Sequence, residues 1–121
     1  MRIKAKTLIA LLLAGCVAST VVFALDMSGV KAYPVPFNPN GRELWIDIPF
    51  GDNNKIQIYD INGDHVFERS GGSGTPAMRW SGRNSSGRKV KPGLYIIKVT
   101  AEDSTTGDYG KKLIRILVDY K

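Results

Sequence analysis

Residues 55–68 of this 121-residue chain have the sequence KIQIYDINGDHVFE, which decides the fold class. In its first half apolar and polar side chains alternate, so that Ile56 and Ile58 share one face of a predicted strand. Asn62 and Gly63 follow, and this pair favours a two-residue type I′ turn with positive φ at both positions. The stretch therefore predicts an antiparallel hairpin with one buried face.

The same two-residue period recurs on both sides of this hairpin, between turns rich in Pro, Gly and Asn. In the strongest further strand, Tyr95, Ile97 and Val99 share a face and are expected to be among the most buried residues. After the N-terminal segment no window has a helical period. We predict an all-β antiparallel sandwich of about seven strands. The predicted strands span residues 33–39, 43–48, 55–61, 65–68, 77–80, 94–101 and 109–118.

The first predicted strand contains Pro34, Pro36 and Pro39. Proline has no backbone N–H to donate, which confines such a segment to a sheet edge and protects that edge from further pairing. If the domain binds another protein by adding a strand to a sheet edge, we therefore expect a different edge of the sandwich, which the sequence does not identify, to bind it.

The N-terminal residues have the pattern of an export signal. Basic residues at positions 2, 4 and 6 precede an uncharged, largely apolar run over residues 7–25. Three outcomes are open: cleavage after Ala24, lipidation of Cys16 within the sequence LAGC, or retention as an uncleaved anchor. Each places the remaining chain outside the cytoplasm, with membrane contact only through this segment. The predicted organisation is a signal over 1–24, a linker over 25–32 and the sandwich over 33–121.

The net charge of the chain is +6, from 17 Lys and Arg against 11 Asp and Glu. Removing residues 1–24 removes three basic residues, leaving 14 against 11 and a net charge of +3. Since much of the excess belongs to the signal, we expect no nucleic-acid partner. Cys16 is the one cysteine, so the predicted domain has neither a disulfide framework nor a thiolate metal site.

Residues suited to catalysis are few. His65 is the one histidine available as a base, and the serines lie in Gly-rich or Asn-rich loops without a nucleophile-elbow pattern. Counted from Asp60, an EF-hand loop would require Gly at position six and Glu at position twelve, where this chain has His65 and Gly71. We therefore expect no enzyme, no metal site and no cofactor.

Two kinds of contact residue stand out. A basic cluster surrounds Trp80 and could hold an anionic ligand or a glycan, or could simply be a solvated loop with Trp80 packed inward. Trp45 lies on the opposite face of its strand from the apolar Leu44 and Ile46, so it is either an exposed contact residue or covered by a loop. The cluster consists of Arg79, Arg83, Arg88, Lys89 and Lys91.

Four motifs together carry a family resemblance: YPVPFNP with LWIDIP, then KIQIYDINGDHV, then RWSGRNSSGRKVKPGLYIIKV, and finally KKLIRI. The chain resembles the immunoglobulin-like domain of the flagellar hook-capping protein FlgD and the C-terminal sorting domain of type IX secretion substrates. It departs from their shared scheme at Val35, where Asn is usual, and at Ser81, where Asp is usual.

This resemblance implies an immunoglobulin-like sandwich with a structural or protein-interaction role in the bacterial envelope or outside the cell. Its partners would then be envelope or extracellular proteins. A second hypothesis is a sorting module for type IX secretion, in which Lys111 and Lys112 of the closing strand would be essential. A third is a carbohydrate or anionic-ligand module using Trp80 and the arginines of the neighbouring loop.

Overall fold

The computed structural model describes residues 24–121. The candidate lipidation residue Cys16 and nearly all of the predicted signal lie outside these described residues. Seven strands in two antiparallel sheets, with one 3-10 turn at Met27–Gly29, confirm the predicted all-β sandwich. The strands are β1 (Lys31–Tyr33), β2 (Leu44–Ile48), β3 (Asn54–Asp60), β4 (His65–Gly71), β5 (Gly74–Trp80), β6 (Gly93–Glu102) and β7 (Tyr109–Val118).

One sheet has three strands in the order β1-β2-β5, and the other has four in the order β4-β3-β6-β7. The core lies between them because alternate side chains of each strand point inward. Along β6, Ile97 and Val99 are fully buried and Tyr95 is 7% exposed, which confirms the predicted inward face. No helix within residues 24–121 is long and apolar enough to cross a membrane.

The segment expected to be a linker is part of the sandwich. Met27 and Val30 lie in the core, and residues 31–33 form β1 beside β2. Asp26 caps the 3-10 turn by accepting a 3.0 Å hydrogen bond from the Ser28 amide, which lowers the pKa of Asp26. Gly110 makes room for this packing, because a Cβ there would lie 2.6 Å from the Met27 sulfur.

The expected strand over residues 33–39 is interrupted. β1 ends at Tyr33, where the following prolines can donate no N–H to a ladder. The chain then crosses to the other sheet, and Phe37 forms an isolated parallel bridge with Val118. The Phe37 amide donates to the Leu117 carbonyl at 2.8 Å, and the Asp119 amide donates to the Phe37 carbonyl at 2.9 Å.

The type I′ turn predicted at Asn62-Gly63 is wrong. Within residues 24–121 only glycines have positive φ, so Asn62 does not adopt the conformation that this turn requires, whereas Gly63 has φ 86°. The Gly63 amide donates to the Asp60 carbonyl at 3.0 Å, and the Asp60 carboxylate accepts from the amides of Asn62 and Asp64. Asp60 therefore stabilises a longer turn that has a left-handed residue only at Gly63.

Truncating the inward face of β6 should destabilise the fold. We expect Ile97→Ala to reduce the free energy of unfolding by about 2–5 kcal/mol, because it leaves a cavity in the core. Ile96→Ala is the matched control, since this neighbour lies on the half-exposed outer face and should cost much less. Urea denaturation of both variants measures the difference, and equal losses would contradict the observed facing.

Candidate interaction surfaces

Trp80 is a core residue. Its side chain is fully buried, its ring lies 5.7 Å from Phe37 and 6.1 Å from Tyr95, and its indole Nε1 donates to the Arg83 carbonyl at 2.9 Å. The prediction that Trp80 is a contact residue is therefore wrong, because a buried indole cannot stack on a ligand. The carbohydrate-binding hypothesis required an exposed Trp80 ring for a sugar to stack on, and the structure does not provide one.

The basic loop, residues 81–91, is a small closed hairpin. Arg83 and Lys89 form an antiparallel bridge, and the Arg83 guanidinium donates to the Gly87 carbonyl at 2.9 Å. The Asn84 carboxamide accepts from the Arg88 amide at 3.0 Å, and the Lys89 ammonium donates to Asn40. Two of the four cations in this loop, Arg83 and Lys89, thus hold the loop and its neighbour together, which leaves the exposed side chains of Arg88 and Lys91 available.

Arg79 lies apart from this loop, on β5. It faces Trp45 across the β2–β5 pair, and its guanidinium forms a 3.3 Å ion pair with Glu43. The basic cluster that is continuous in sequence is therefore divided in the fold between a loop and the outer face of the three-stranded sheet.

Trp45 is 43% exposed on that outer face. The Tyr33 ring packs edge-on against it, with 5.8 Å between ring centroids. The Tyr33 hydroxyl donates to the Asp47 carboxylate at 2.8 Å, and this hydrogen bond raises the pKa of Tyr33. Beside the two rings is a pocket of about 390 Å³, which Pro34 and Glu43 also line. The structure thus leaves Trp45 available as a contact residue.

The outer edge of β7 is paired at both ends with the chain's own N-terminal segment. The Leu25 amide donates to the Tyr109 carbonyl at 3.0 Å, and the Phe37 amide donates to the Leu117 carbonyl at 2.8 Å. Backbone groups of a strand alternate in direction, and the β6–β7 register is unbroken from Tyr109 to Val118.

The backbone groups of Lys111, Leu113 and Arg115 therefore point outward as those of Tyr109 and Leu117 do. In the described part of the chain, no hydrogen bond reaches these three amides or carbonyls. We call this stretch, residues 111–115, the open β7 edge.

The other sheet edges are interrupted. On β4, the amide and hydroxyl of Ser85 donate to the Val66 carbonyl at 2.9 and 3.1 Å. On β5, Pro76 lacks an amide hydrogen, and the Arg69 guanidinium donates to the Arg79 carbonyl at 3.0 Å. The edge strand β1 has only three residues. Each of these features limits pairing with an added strand.

The two candidate sorting lysines point in different directions. Lys111 is exposed on the outer face of the four-stranded sheet, whereas Lys112 faces inward opposite Val99 and is half-buried. The Lys112 ammonium donates to the Val30 carbonyl at 2.8 Å, and its charge contributes to the lowered pKa of Asp26. Lys112 therefore ties the N-terminal segment to β7, and only Lys111 presents its side chain outward.

Between β1 and β7 lies a groove of about 490 Å³, which is lined by Val30, Lys31, Ala32, Tyr33, Lys112, Leu113, Ile114 and Arg115.

Within residues 24–121, no group of three or more His, Cys, Asp or Glu side chains is placed to hold a metal ion. The His65 imidazole lies 3.1 Å from the Glu68 carboxylate, and each side chain is a little under half exposed.

Comparison with known proteins confirms the family resemblance. Residues 50–105 match the sequence model of the FlgD Ig-like domain family. The chain is 27% identical to part of PorZ from Porphyromonas gingivalis, described as an essential surface component of the type IX secretion system. That match has a TM-score of 0.57 and covers 77% of this chain but only 12% of PorZ.

FlgD from P. aeruginosa has the same fold, with a TM-score of 0.51 and 18% identity over 82% of this chain and 78% of that structure. No curated protein sequence matches the chain.

The different orientations of the two lysines predict different effects on stability. We expect Lys112→Met to reduce the free energy of unfolding by about 1–2 kcal/mol, because it removes a charged hydrogen-bond donor from the Val30 carbonyl. Lys111→Met, the matched control, should change stability by less than about 0.5 kcal/mol. Urea denaturation measures both, and a larger loss for Lys111→Met would show that the assigned roles are reversed.

Proposed function

We propose that this chain is an exported, non-catalytic immunoglobulin-like module that acts by protein–protein contact in the bacterial envelope or outside the cell. The single observation that carries the proposal is the open β7 edge, where three successive outward positions have unpaired backbone groups. A sheet edge of this kind is a template for an added strand. Main-chain hydrogen bonds would supply affinity, and neighbouring side chains would supply selectivity.

The similarities support an extracytoplasmic role. PorZ is described as a bacterial surface component, and residues 50–105 match the FlgD Ig-like domain family; both similarities support a role outside the cytoplasm. The export pattern of the N-terminal sequence agrees with such a location. Because the chain spans only 12% of PorZ, the activity of the whole PorZ protein does not transfer to it.

Photocrosslinking in living cells of the native host tests this function. A crosslinking amino acid is placed at Leu113 on the open β7 edge, and the control position is Ile61, which is 72% exposed in the β3–β4 turn. We expect the protein in the envelope or medium, with a discrete crosslinked protein product from position 113 and none from position 61. The intact mass of the purified protein also distinguishes a start at Leu25 from acylation at Cys16 or an uncut chain.

Two outcomes would overturn the proposal. Recovery of the chain in the cytoplasm would contradict export. Recovery outside the cytoplasm with no specific product from position 113 would contradict contact through the β7 edge.

A type IX sorting function is the second candidate, favoured by the 27% identity to a stretch of PorZ. The exposed Lys111 is the lysine that a receptor could contact directly, whereas Lys112 is engaged inside the protein. In a host with type IX secretion, Lys111→Ala should then abolish secretion while leaving the protein folded. Normal secretion of this variant would count against the sorting function. Deleting residues 109–121 is not a usable test, because β7 supplies Ile116 and Val118 to the core.

A further inference from the structure

We propose that the open β7 edge binds an extended acidic segment of a partner protein with the pattern acidic–x–apolar–x–acidic. This inference rests on the proposed function and specifies the chemistry of the partner. The segment would add a strand beside Lys111, Leu113 and Arg115, and its acidic side chains would lie next to the two cations.

The backbone makes the edge competent for pairing. The chain itself forms parallel bridges to β7 on either side, at Ala24 with Tyr109 and at Phe37 with Val118. Between them the N-terminal segment leaves the plane of the sheet to form β1, and the outward groups of residues 111, 113 and 115 stay unpaired. Five residues of extended chain, about 17 Å at 3.4 Å per residue, would span this gap.

The charges select an acidic occupant. Lys111 and Arg115 are exposed, and neither forms an ion pair within residues 24–121. Lys98 faces Leu113 across the β6–β7 pair, and Lys31 lines the adjacent groove. Opposite charges on adjacent strands stabilise pairing, whereas like charges directly opposite one another destabilise it.

Leu113 supplies the apolar centre of the pattern. It is 62% exposed between the two cations, so an apolar side chain on the added strand would remove its surface from water. Because the pattern is the same in both directions, it fits Lys111, Leu113 and Arg115 whether the added strand is parallel or antiparallel to β7.

A second copy of this chain fits the edge less well. Pairing β7 with β7 of another copy in the antiparallel direction, centred on Leu113, would place Lys111 of each copy opposite Arg115 of the other. Such a pair brings four cations together with no acid between them. The charge pattern therefore favours a different, acidic protein segment.

The test is an NMR titration of the complete, isotope-labelled protein with a capped peptide, Thr-Glu-Thr-Val-Thr-Glu-Thr. The control peptide has Lys in place of both Glu residues. We expect the acidic peptide to shift the amide signals of Lys111, Leu113 and Arg115 and slow their hydrogen exchange, with affinity about tenfold above that of the basic peptide. Added salt should weaken the binding.

Charge reversal gives the sharpest variant. Lys111→Glu combined with Arg115→Glu should lose the acidic peptide and bind the basic one instead. Arg88→Glu combined with Lys91→Glu is the matched control, because it makes the same change in net charge at the exposed basic loop and should leave the preference unaltered.

A proline substitution separates strand pairing from simple charge attraction. Leu113→Pro removes one outward N–H without breaking the β6–β7 ladder, a position where edge strands tolerate proline. It should weaken acidic-peptide binding severalfold, whereas Leu113→Thr, which keeps the N–H, should weaken it less. If Leu113→Pro fails to fold, the exchange protection of the three wild-type amides still decides whether a strand is added.

Equal binding of both peptides, shifts confined to other surfaces, or pairing of two copies through β7 would overturn the inference. The proposed function would survive these results if crosslinking from position 113 still captured an envelope protein. Conversely, a cytoplasmic location would overturn the proposed function even if the acidic peptide bound.

Discussion

The ladder between β6 and β7 pairs every residue of Gly93–Glu102 with one of Tyr109–Val118, without a break in register. Because side chains alternate along a strand, this one register sends Ile97 and Val99 into the core and leaves Leu113 in solvent. The same alternation directs every second pair of backbone groups on β7 away from β6. Core and interaction edge are therefore two consequences of a single strand pairing.

The N-terminal segment completes this arrangement in two separate places. It pairs with β7 near Tyr109 and again near Leu117, and between these points it forms β1 on the opposite sheet. The Lys112 side chain joins the two layers through the Val30 carbonyl. The N-terminal segment thus covers both ends of the outer edge of β7 but leaves the middle of that edge, residues 111–115, without a partner strand. The proposed function rests on this uncovered stretch.

The sequence predicts the structure best where one local pattern alone decides the conformation. The six predicted strands from residue 43 onward correspond to β2 to β7, whereas β1 lies mostly in the predicted linker; the inward face of β6 was correct because strand periodicity depends on local geometry. The turn at Asn62-Gly63 was wrong because the Asp60 carboxylate binds the turn amides and selects another geometry. The linker assignment differs from the structure because Met27 and Val30 are buried by distant residues of β7 and its neighbours.

The sequence by itself determined the fold class, the resemblance to FlgD-like modules and the residue types available for contact, since each depends on local pattern. Only the tertiary structure decided which of those residues are accessible. In the folded protein Trp80 is buried, Trp45 is partly exposed, and the basic cluster is divided between a loop and a sheet face. It also turned Lys111 outward and Lys112 inward. These outcomes depend on strand register and on long-range packing, which bring together residues far apart in the chain and have no local signature.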